Sequence, residues 1–334
     1  MPVRLSLLQL ELPAEVAAGP VPVTYLSTGI KQSDQPPLLL VHGFDISSLE
    51  YRRLMPRLAE LGIEAYAPCV AGWGFTDTTN LKTVGVDGKR AQLLAFWERV
   101  LGGRPAVWVG ASLGACIALD CYLAKPEAFK SVVTLAPGFF TPPPPVVPAP
   151  VGRLLLQNVL SAPNVRESIA KQAYHVKEDQ SEDAIRCGNL HLNRAKWEAD
   201  SLEWLLGGAY GDQAPLVPQL AALPTLTMWG REDEVIPPAG LGAWPAGQLA
   251  NALPDGAFRW VEKSGHTPHL EQPDVTARAI AAFVRGEPMD GDGSTADVQA
   301  WATRSAQASE AAASLGELLK EKAGEVVERA KKAM

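Results

Sequence analysis

The sequence predicts an α/β fold in which helices cover both faces of a mostly parallel, doubly wound sheet, with a helical insertion and an appended C-terminal helix. Short apolar runs bounded by Gly or Pro recur along the chain, separated by segments of helical period. Strands buried on both faces have such continuous apolar runs, and their alternation with helices indicates βαβ units. The runs lie at residues 36–43, 64–70, 105–112, 131–138, 224–230 and 258–265.

The N-terminal twenty residues predict one more strand. Gln9 and Glu11 interrupt their apolar stretch, whereas a signal peptide has an unbroken apolar centre. The chain also has no run close to the roughly 18 apolar residues that a membrane span needs. We therefore expect a soluble, cytoplasmic protein.

The spacing between the apolar runs breaks once, over residues 138–213, where a proline-rich segment leads into helical stretches at 151–175 and 180–206. An insertion of this length is typical of a lid or a small helical domain. We expect a helical cap here, inserted into a core formed by residues 1–137 and 214–286. A scaffold extension remote from the chemistry is the alternative.

A change of composition marks the C-terminal segment, residues 287–334. A linker rich in Gly and Asp is followed by Ala, Glu and Lys, and Leu315, Leu318 and Val326 share one face at helical spacing. This pattern predicts an amphipathic helix. It has balanced charge, so docking to a protein partner or self-association is favoured over membrane binding, with a loosely packed appendage as the alternative.

Charge and cysteine content exclude several classes of function. The formal net charge is −7 with a pI near 5.4, which disfavours nucleic acid as a partner. The four cysteines form no CxxC pair, and two of them, Cys116 and Cys121, fall within one predicted helix. We expect no disulfide framework, no metal and no organic cofactor.

The segment Gly110-Ala111-Ser112-Leu113-Gly114 carries the most specific motif. It follows a predicted strand and opens a predicted helix, the context that a G-x-S-x-G nucleophile turn requires. Such a turn lifts the serine hydroxyl above the sheet, and glycines on either side let neighbouring backbone approach. Ser112 is therefore the candidate nucleophile.

A serine hydroxyl needs a base, and the base needs an acid that orients it. Asp233 follows one late strand and His266 follows the next, so the candidate acid and base come in the chain order Ser, Asp, His. Glu232 and Glu234 compete for the acid role. His269 competes with His266, but we assign it as a pocket or core histidine.

The candidate oxyanion hole follows the run at 36–43. Gly43 permits a turn after His42, and the backbone N–H of Phe44 would pair with that of Leu113 to bind the substrate oxygen. His42 is expected to support this turn. His191, in the insertion, is expected to be an ordinary polar helix residue.

The motifs together resemble those of the α/β-hydrolase superfamily over residues 38 to about 285. They read HGF, GWGFTD, GASLG, GREDEVIP and SGHTPHLEQP. The segment from His42 to Asp77 is similar to that of plant, algal and cyanobacterial members, which makes a plastid the alternative location. Asp77 matches a superfamily position that usually ties its loop by hydrogen bonds. Trp73, Trp108 and Trp229 are expected to pack in the core or line the pocket.

The resemblance implies a serine esterase or thioesterase, and the Leu, Val and Pro content of the insertion favours a small to medium apolar ester as its substrate. Dehalogenases and epoxide hydrolases of this superfamily use a carboxylate nucleophile, and position 112 is Ser. C–C bond hydrolases and haloperoxidases use the same Ser-His-Asp set and remain alternatives. A non-catalytic module that binds an apolar ligand is the alternative from another class.

Overall fold

The sheet has eight strands, and the computed structural model describes residues 3–31, 34–142, 145–177, 182–238, 245–253 and 256–288. Their order across the sheet is β1-β2-β4-β3-β5-β6-β7-β8, and β2 runs antiparallel to both neighbours. All other neighbouring pairs are parallel, so the predicted α/β architecture is confirmed. The strands are β1 Arg4–Leu10, β2 Val21–Ser27, β3 Leu38–Val41, β4 Ala65–Pro68, β5 Ala106–Ala111, β6 Phe129–Leu135, β7 Thr225–Gly230 and β8 Ala257–Val261.

Helices cover both faces of the sheet. Helices α1 and α10 pack on one face, while α2, α3 and α8 pack on the other. The described helices are α1 Leu54–Glu60, α2 Val86–Leu101, α3 Leu113–Ala124, α4 Ala149–Leu155, α5 Pro163–Ala173, α6 Glu182–Asn189, α7 Trp197–Glu203, α8 Pro245–Ala252, α9 Pro268–Glu271 and α10 Pro273–Arg285.

Strand β5 shows why the central runs are continuously apolar. Trp108 packs into the cluster on the α2 and α3 face, whereas its neighbours Val107 and Val109 pack into the cluster on the α1 and α10 face. All three side chains are fully buried. Because successive side chains of a strand point to opposite faces, a strand covered on both sides needs an apolar residue at every position.

The insertion between β6 and β7 contains α4 to α7 and has a small apolar cluster of its own, formed by Leu156, Trp197, Leu202 and Leu205. The two predicted helical stretches are therefore present, with α4 and α5 in the first and α6 and α7 in the second. That the insertion is a cap, with limits at residues 138 and 213, stays a prediction.

Helix α10 is the last described helix, and Gly286, in the left-handed conformation, caps its C-terminus. The predicted C-terminal amphipathic helix lies outside the described residues. Among the helices that are described, none is long and apolar enough to cross a membrane.

Candidate active site

Ser112 lies in a strained turn between β5 and α3. Its φ and ψ are 52° and −119°, a conformation that non-glycine residues rarely adopt. The turn is fixed by its own backbone, because Ser112 N–H donates to Leu135 O at 2.9 Å and Ser112 O accepts from Gly138 N at 3.1 Å. The end of β6 therefore holds the candidate nucleophile at the carboxyl edge of the sheet.

The two motif glycines are required by close packing. A Cβ atom at Gly110 would lie 2.5 Å from the Cα atom of Ala115, and one at Gly114 would lie 2.0 Å from Val41 O. Real side chains do not approach backbone this closely, so helix α3 can pack against β3 and β5 only with glycine at both positions.

Asp233 and His266 form a hydrogen-bonded pair. The Nδ1 atom of His266 lies 2.8 Å from Asp233 Oδ2. A carboxylate only accepts, so Nδ1 carries the proton and Nε2 is left with its lone pair, as a base for a serine needs. Within the described part of the chain no hydrogen bond joins Ser112 Oγ to this ring, and such bonds often form only when substrate binds.

The Asp233 carboxylate is buried and fully satisfied. Its Oδ1 accepts from the backbone N–H groups of Val235 and Ile236 at 2.8 and 2.9 Å, and its Oδ2 also accepts from Trp229 Nε1 at 3.0 Å. These donors fix the carboxylate towards His266. The role of Trp229 as a donor had no signal in the sequence, which indicated only a buried indole.

The two competing carboxylates of this loop point elsewhere. Glu232 accepts from the backbone N–H of Ser264 at 3.0 Å, and Glu234 forms an ion pair with Lys177 at 2.9 Å. Neither is bonded to His266. The geometry therefore favours Asp233 among the three acids.

The pKa of His266 is raised above its usual value of 6.5. Burial acts in the opposite direction and is the largest influence, but the negative charge of Asp233 and its hydrogen bond outweigh it. The Asp233 carboxylate thus stabilises the imidazolium that would form when the ring takes a proton from serine.

Gly43 lies against the serine turn. A Cβ atom at Gly43 would be 3.4 Å from Ser112 Cβ, which puts the next residue, Phe44, beside the candidate nucleophile. Leu113 is the first residue of α3, where a helix has no acceptor for the backbone N–H. Among the hydrogen bonds of the described residues, neither the Phe44 nor the Leu113 N–H has a protein acceptor, as an oxyanion hole requires.

His42 supports the turn from beneath, as expected. Its Nε2 accepts from Val70 N–H at 2.9 Å, so Nδ1 carries the proton and donates to Gly43 O at 3.0 Å. Burial lowers the pKa of His42 to about 4, and the ring stays neutral.

Glu50 is a buried carboxylate at the same turn that the sequence did not single out. Its Oε2 accepts from Gly43 N–H at 2.9 Å, and its Oε1 lies 3.4 Å from His269 Nε2. His269 is buried, as expected of a core histidine. Among the other residues expected to be structural, Asp77 ties its loop by accepting from Thr79, and Trp73, Trp108 and Trp229 are buried.

Comparison with known proteins places the chain in a family. Residues 38–279 match the profile of the alpha/beta hydrolase family. The chain is 30% identical over 275 residues, 77% of each protein, to the alpha/beta hydrolase domain-containing protein VTE7 of Arabidopsis thaliana. It is 25% identical over 267 residues, 75% of this chain and 90% of the relative, to a pimeloyl-[acyl-carrier protein] methyl ester esterase of Shewanella.

A thermophilic esterase from Thermogutta terrifontis has the same fold, with a TM-score of 0.67 at 19% identity over 84% of this chain and 98% of the esterase. The eight-stranded sheet, the serine turn after β5 and the family match agree with one another. The chain is therefore a member of the alpha/beta hydrolase family.

Proposed function

We propose that the chain is a serine hydrolase that cleaves an ester or thioester of a small to medium apolar substrate through an acyl-enzyme. The observation that carries the proposal is the Asp233–His266 hydrogen bond of 2.8 Å at the same sheet edge as the strained turn of Ser112. In this arrangement the serine has a base and the base has an orienting acid.

In the proposed mechanism, Ser112 Oγ attacks the ester carbonyl while His266 Nε2 takes its proton. The N–H groups of Phe44 and Leu113 stabilise the negative oxygen of the tetrahedral intermediate, each by about 3–4 kcal/mol. His266 then protonates the leaving alcohol or thiol. Water hydrolyses the acyl-enzyme with the same histidine as base, and Asp233 holds the ring throughout.

An apolar substrate is proposed from the walls around the turn. The ring of Phe44 is 40% exposed and packs against Trp73 and Trp204 with ring centroids 5.1 and 4.5 Å away. Trp204 belongs to the insertion between β6 and β7, which supports the proposal that this insertion is a cap over the substrate. The relative that cleaves a methyl ester, by its name, supports ester chemistry.

The test is hydrolysis of p-nitrophenyl esters of graded acyl length, together with labelling by a fluorophosphonate. We expect turnover of the wild-type protein and labelling of Ser112. The Ser112→Ala variant should lose both, with kcat reduced by a factor on the order of 10⁴ or more. Circular dichroism should show that it remains folded.

A matched control is Ser131→Ala, which removes a buried serine from the neighbouring strand β6. It should be labelled and should turn over esters like the wild-type protein. Labelling that persists in Ser112→Ala would refute the nucleophile assignment. A wild-type protein that neither reacts with the probe nor hydrolyses any ester would instead favour a non-catalytic binding module.

A further inference from the structure

Helix α5 of the insertion touches both halves of the candidate site. Near its start, Arg166 forms an ion pair with Asp45, the residue that follows Phe44, at 2.7 Å. At its end, Ala173 O accepts from the backbone N–H of His266 at 2.8 Å. These two residues of α5 are seven apart, about 10 Å along a helix. One short helix therefore bridges the turn at Phe44 and Asp45, called the oxyanion turn below, and the loop that carries His266, called the histidine loop.

The Asp45 carboxylate is saturated by side chains of the insertion. Its Oδ2 accepts from Arg166 Nη1 at 2.7 Å, and its Oδ1 accepts from His191 Nε2 and Trp197 Nε1, both at 2.8 Å. Asp45 is 7% exposed and His191 is completely buried, so water does not compete for these bonds. His191 is thus not the ordinary polar helix residue that the sequence suggested.

Arg166 is itself held in place by the rest of the insertion. Its guanidinium donates to Leu160 O at 3.0 Å, to Asn189 Oδ1 at 2.5 Å and to Gly188 O at 3.4 Å. It also donates to the backbone oxygen of Asp45 at 3.3 Å. The fork geometry of arginine lets this one side chain of α5 join two further segments of the insertion to the turn.

The turn needs external support because its backbone is strained. Asp45 has a φ of 46°, in the left-handed region that aspartate and asparagine tolerate at a cost and most other non-glycine residues avoid. Strain of this kind persists only where surrounding contacts enforce it. At Asp45 itself the enforcing contacts come from Arg166, His191 and Trp197, and the packing of the Phe44 ring against Trp204 adds to the core-side support of Gly43 by Glu50.

Electrostatics keep the carboxylate ionised. Burial alone would raise the pKa of Asp45, but the hydrogen bond from His191 and the charge of Arg166 outweigh burial and lower this pKa. The contact between the turn and the insertion is therefore a buried, charge-assisted one, which is directional and costly to leave half made.

We propose that Asp45 is a positioning residue, through which the insertion holds the Phe44 N–H in the place where it stabilises the substrate oxyanion. Asp45 does not touch the substrate. The insertion thereby completes the site: α5 sets the oxyanion turn through Arg166 and the histidine loop through Ala173. This inference rests on the proposed serine-hydrolase function.

The main test is Asp45→Asn, which keeps the shape of the side chain. In one orientation the new amide NH2 faces Arg166, and in the other it faces His191 and Trp197, so one of the two acceptor oxygens is lost either way. If the Phe44 N–H moves out of position, the binding of the transition state is weakened more than the binding of the substrate. We expect kcat on a soluble p-nitrophenyl ester to fall by about 10- to 100-fold while KM changes by less than about threefold. Arg166→Gln should behave similarly, and the double variant should lose little more than either single one.

A second readout separates positioning from a general loss of structure. An alkyl boronic acid forms a tetrahedral adduct with a serine nucleophile, so its affinity reports on the oxyanion hole. Its Kd should rise in Asp45→Asn by about the same factor as kcat falls. Arg166→Lys keeps the charge, so it should lose less kcat and less affinity for the boronic acid than Arg166→Gln.

The chain offers a closely matched control in Asp200→Asn. Asp200 pairs with Arg194 at 2.6 Å. The side chain of Asp200 is 6% exposed and that of Asp45 is 7% exposed, and both arginine side chains are 13% exposed. Arg194 binds Gly72 O rather than the oxyanion turn. Asp200→Asn should therefore be destabilised to a similar degree with kcat within about twofold of wild type.

The outcomes are decisive in each direction. An unchanged kcat in a folded Asp45→Asn variant, or an equal loss of kcat in Asp200→Asn, overturns the inference while leaving the serine-hydrolase proposal intact. If Asp45→Asn does not fold, Trp197→Phe removes a single uncharged donor, and a kcat like that of wild type would then overturn it. Failure of the proposed function is recognised separately, by a wild-type protein without ester turnover.

Discussion

The nucleophile turn and the oxyanion turn lie side by side but are held in different ways. The turn at Ser112 is fixed from within the core, by backbone hydrogen bonds to β6 and by glycines pressed against neighbouring backbone. The turn at Phe44 and Asp45 is held from two sides, by the buried Glu50 on the core side and by side chains of the insertion on the other.

The geometry of the two turns therefore has two different structural origins within one site. A core-held turn is as rigid as the sheet edge from which it projects. The oxyanion turn takes part of its geometry from the insertion, which has a small apolar cluster of its own and reaches the turn through the Arg166–Asp45 ion pair. In this chain the turn of the candidate nucleophile is thus preformed, while the position of the candidate oxyanion donor depends in part on the contacts of the insertion.

The largest expected difference is between alanine substitutions at Gly114 and Gly43. A Cβ at Gly114 would meet Val41 O at 2.0 Å, whereas one at Gly43 would have ordinary contacts of 3.4 Å. Gly114→Ala should lower the free energy of unfolding by about 3 kcal/mol or more, and Gly43→Ala should change it by less than about 1 kcal/mol. Urea denaturation measures both.

Similar unfolding midpoints for the two variants would contradict this expectation, because the turn at Ser112 could then shift as easily as the oxyanion turn. A Gly114→Ala variant that fails to express in folded form agrees with the expectation. Gly43→Ala then serves as the evidence that alanine is tolerated at this sheet edge.

A smaller effect is expected at Glu50, the core-side support of the oxyanion turn. Burial would raise the pKa of Glu50, but the contact with His269 and the Gly43 N–H lower it overall, so the residue is ionised. Glu50→Gln should weaken this buried pair and lower the free energy of unfolding by about 1–3 kcal/mol. We also expect a loss of kcat smaller than in Asp45→Asn, since the contacts from the insertion remain.

The control for Glu50 is Glu64→Gln. Glu64 is also buried and pairs with Arg104 at 2.7 Å, next to strand β4 and away from the turn. It should show a comparable loss of stability in chemical denaturation without loss of ester turnover. If Glu50→Gln kept the full kcat as well, the turn would have no need of support from beneath.

The sequence predicted the core-held half of the site better than the insertion-held half. The motif around Ser112 is local, since five consecutive residues and the flanking strand and helix specify it. The assignment of Asp233 and His266 rested on order along the chain, and the structure brings these two side chains together. Tertiary contacts were needed only to separate Asp233 from Glu232 and Glu234.

The insertion-held half has no local signal. Asp45 is 146 residues from His191 and 152 from Trp197, and no periodic pattern links positions so far apart. Strand β2 escaped prediction for another reason. Its side chains are buried or half-buried but include Thr24 and Ser27, so it lacks the continuous apolar run by which the central strands were identified.

The pH dependence of kcat/KM provides the smallest and most specific contrast between the two turns. The pKa of His266 is raised above 6.5, by Asp233 and, to a lesser degree, by Glu50 and Glu271. A general base acts only when neutral, so kcat/KM should fall as the pH drops through this raised pKa, and the acid limb of the pH profile should lie above pH 6.5.

Glu271→Gln removes one negative charge near the ring, which disfavours the imidazolium and lowers the pKa of His266. The acid limb should then move slightly towards lower pH. Asp45→Asn should lower kcat/KM at every pH without moving the limb, because the charge of Asp45 is already balanced by Arg166. A limb that moved in Asp45→Asn and stayed fixed in Glu271→Gln would show that the oxyanion turn acts on the base rather than on the substrate oxygen.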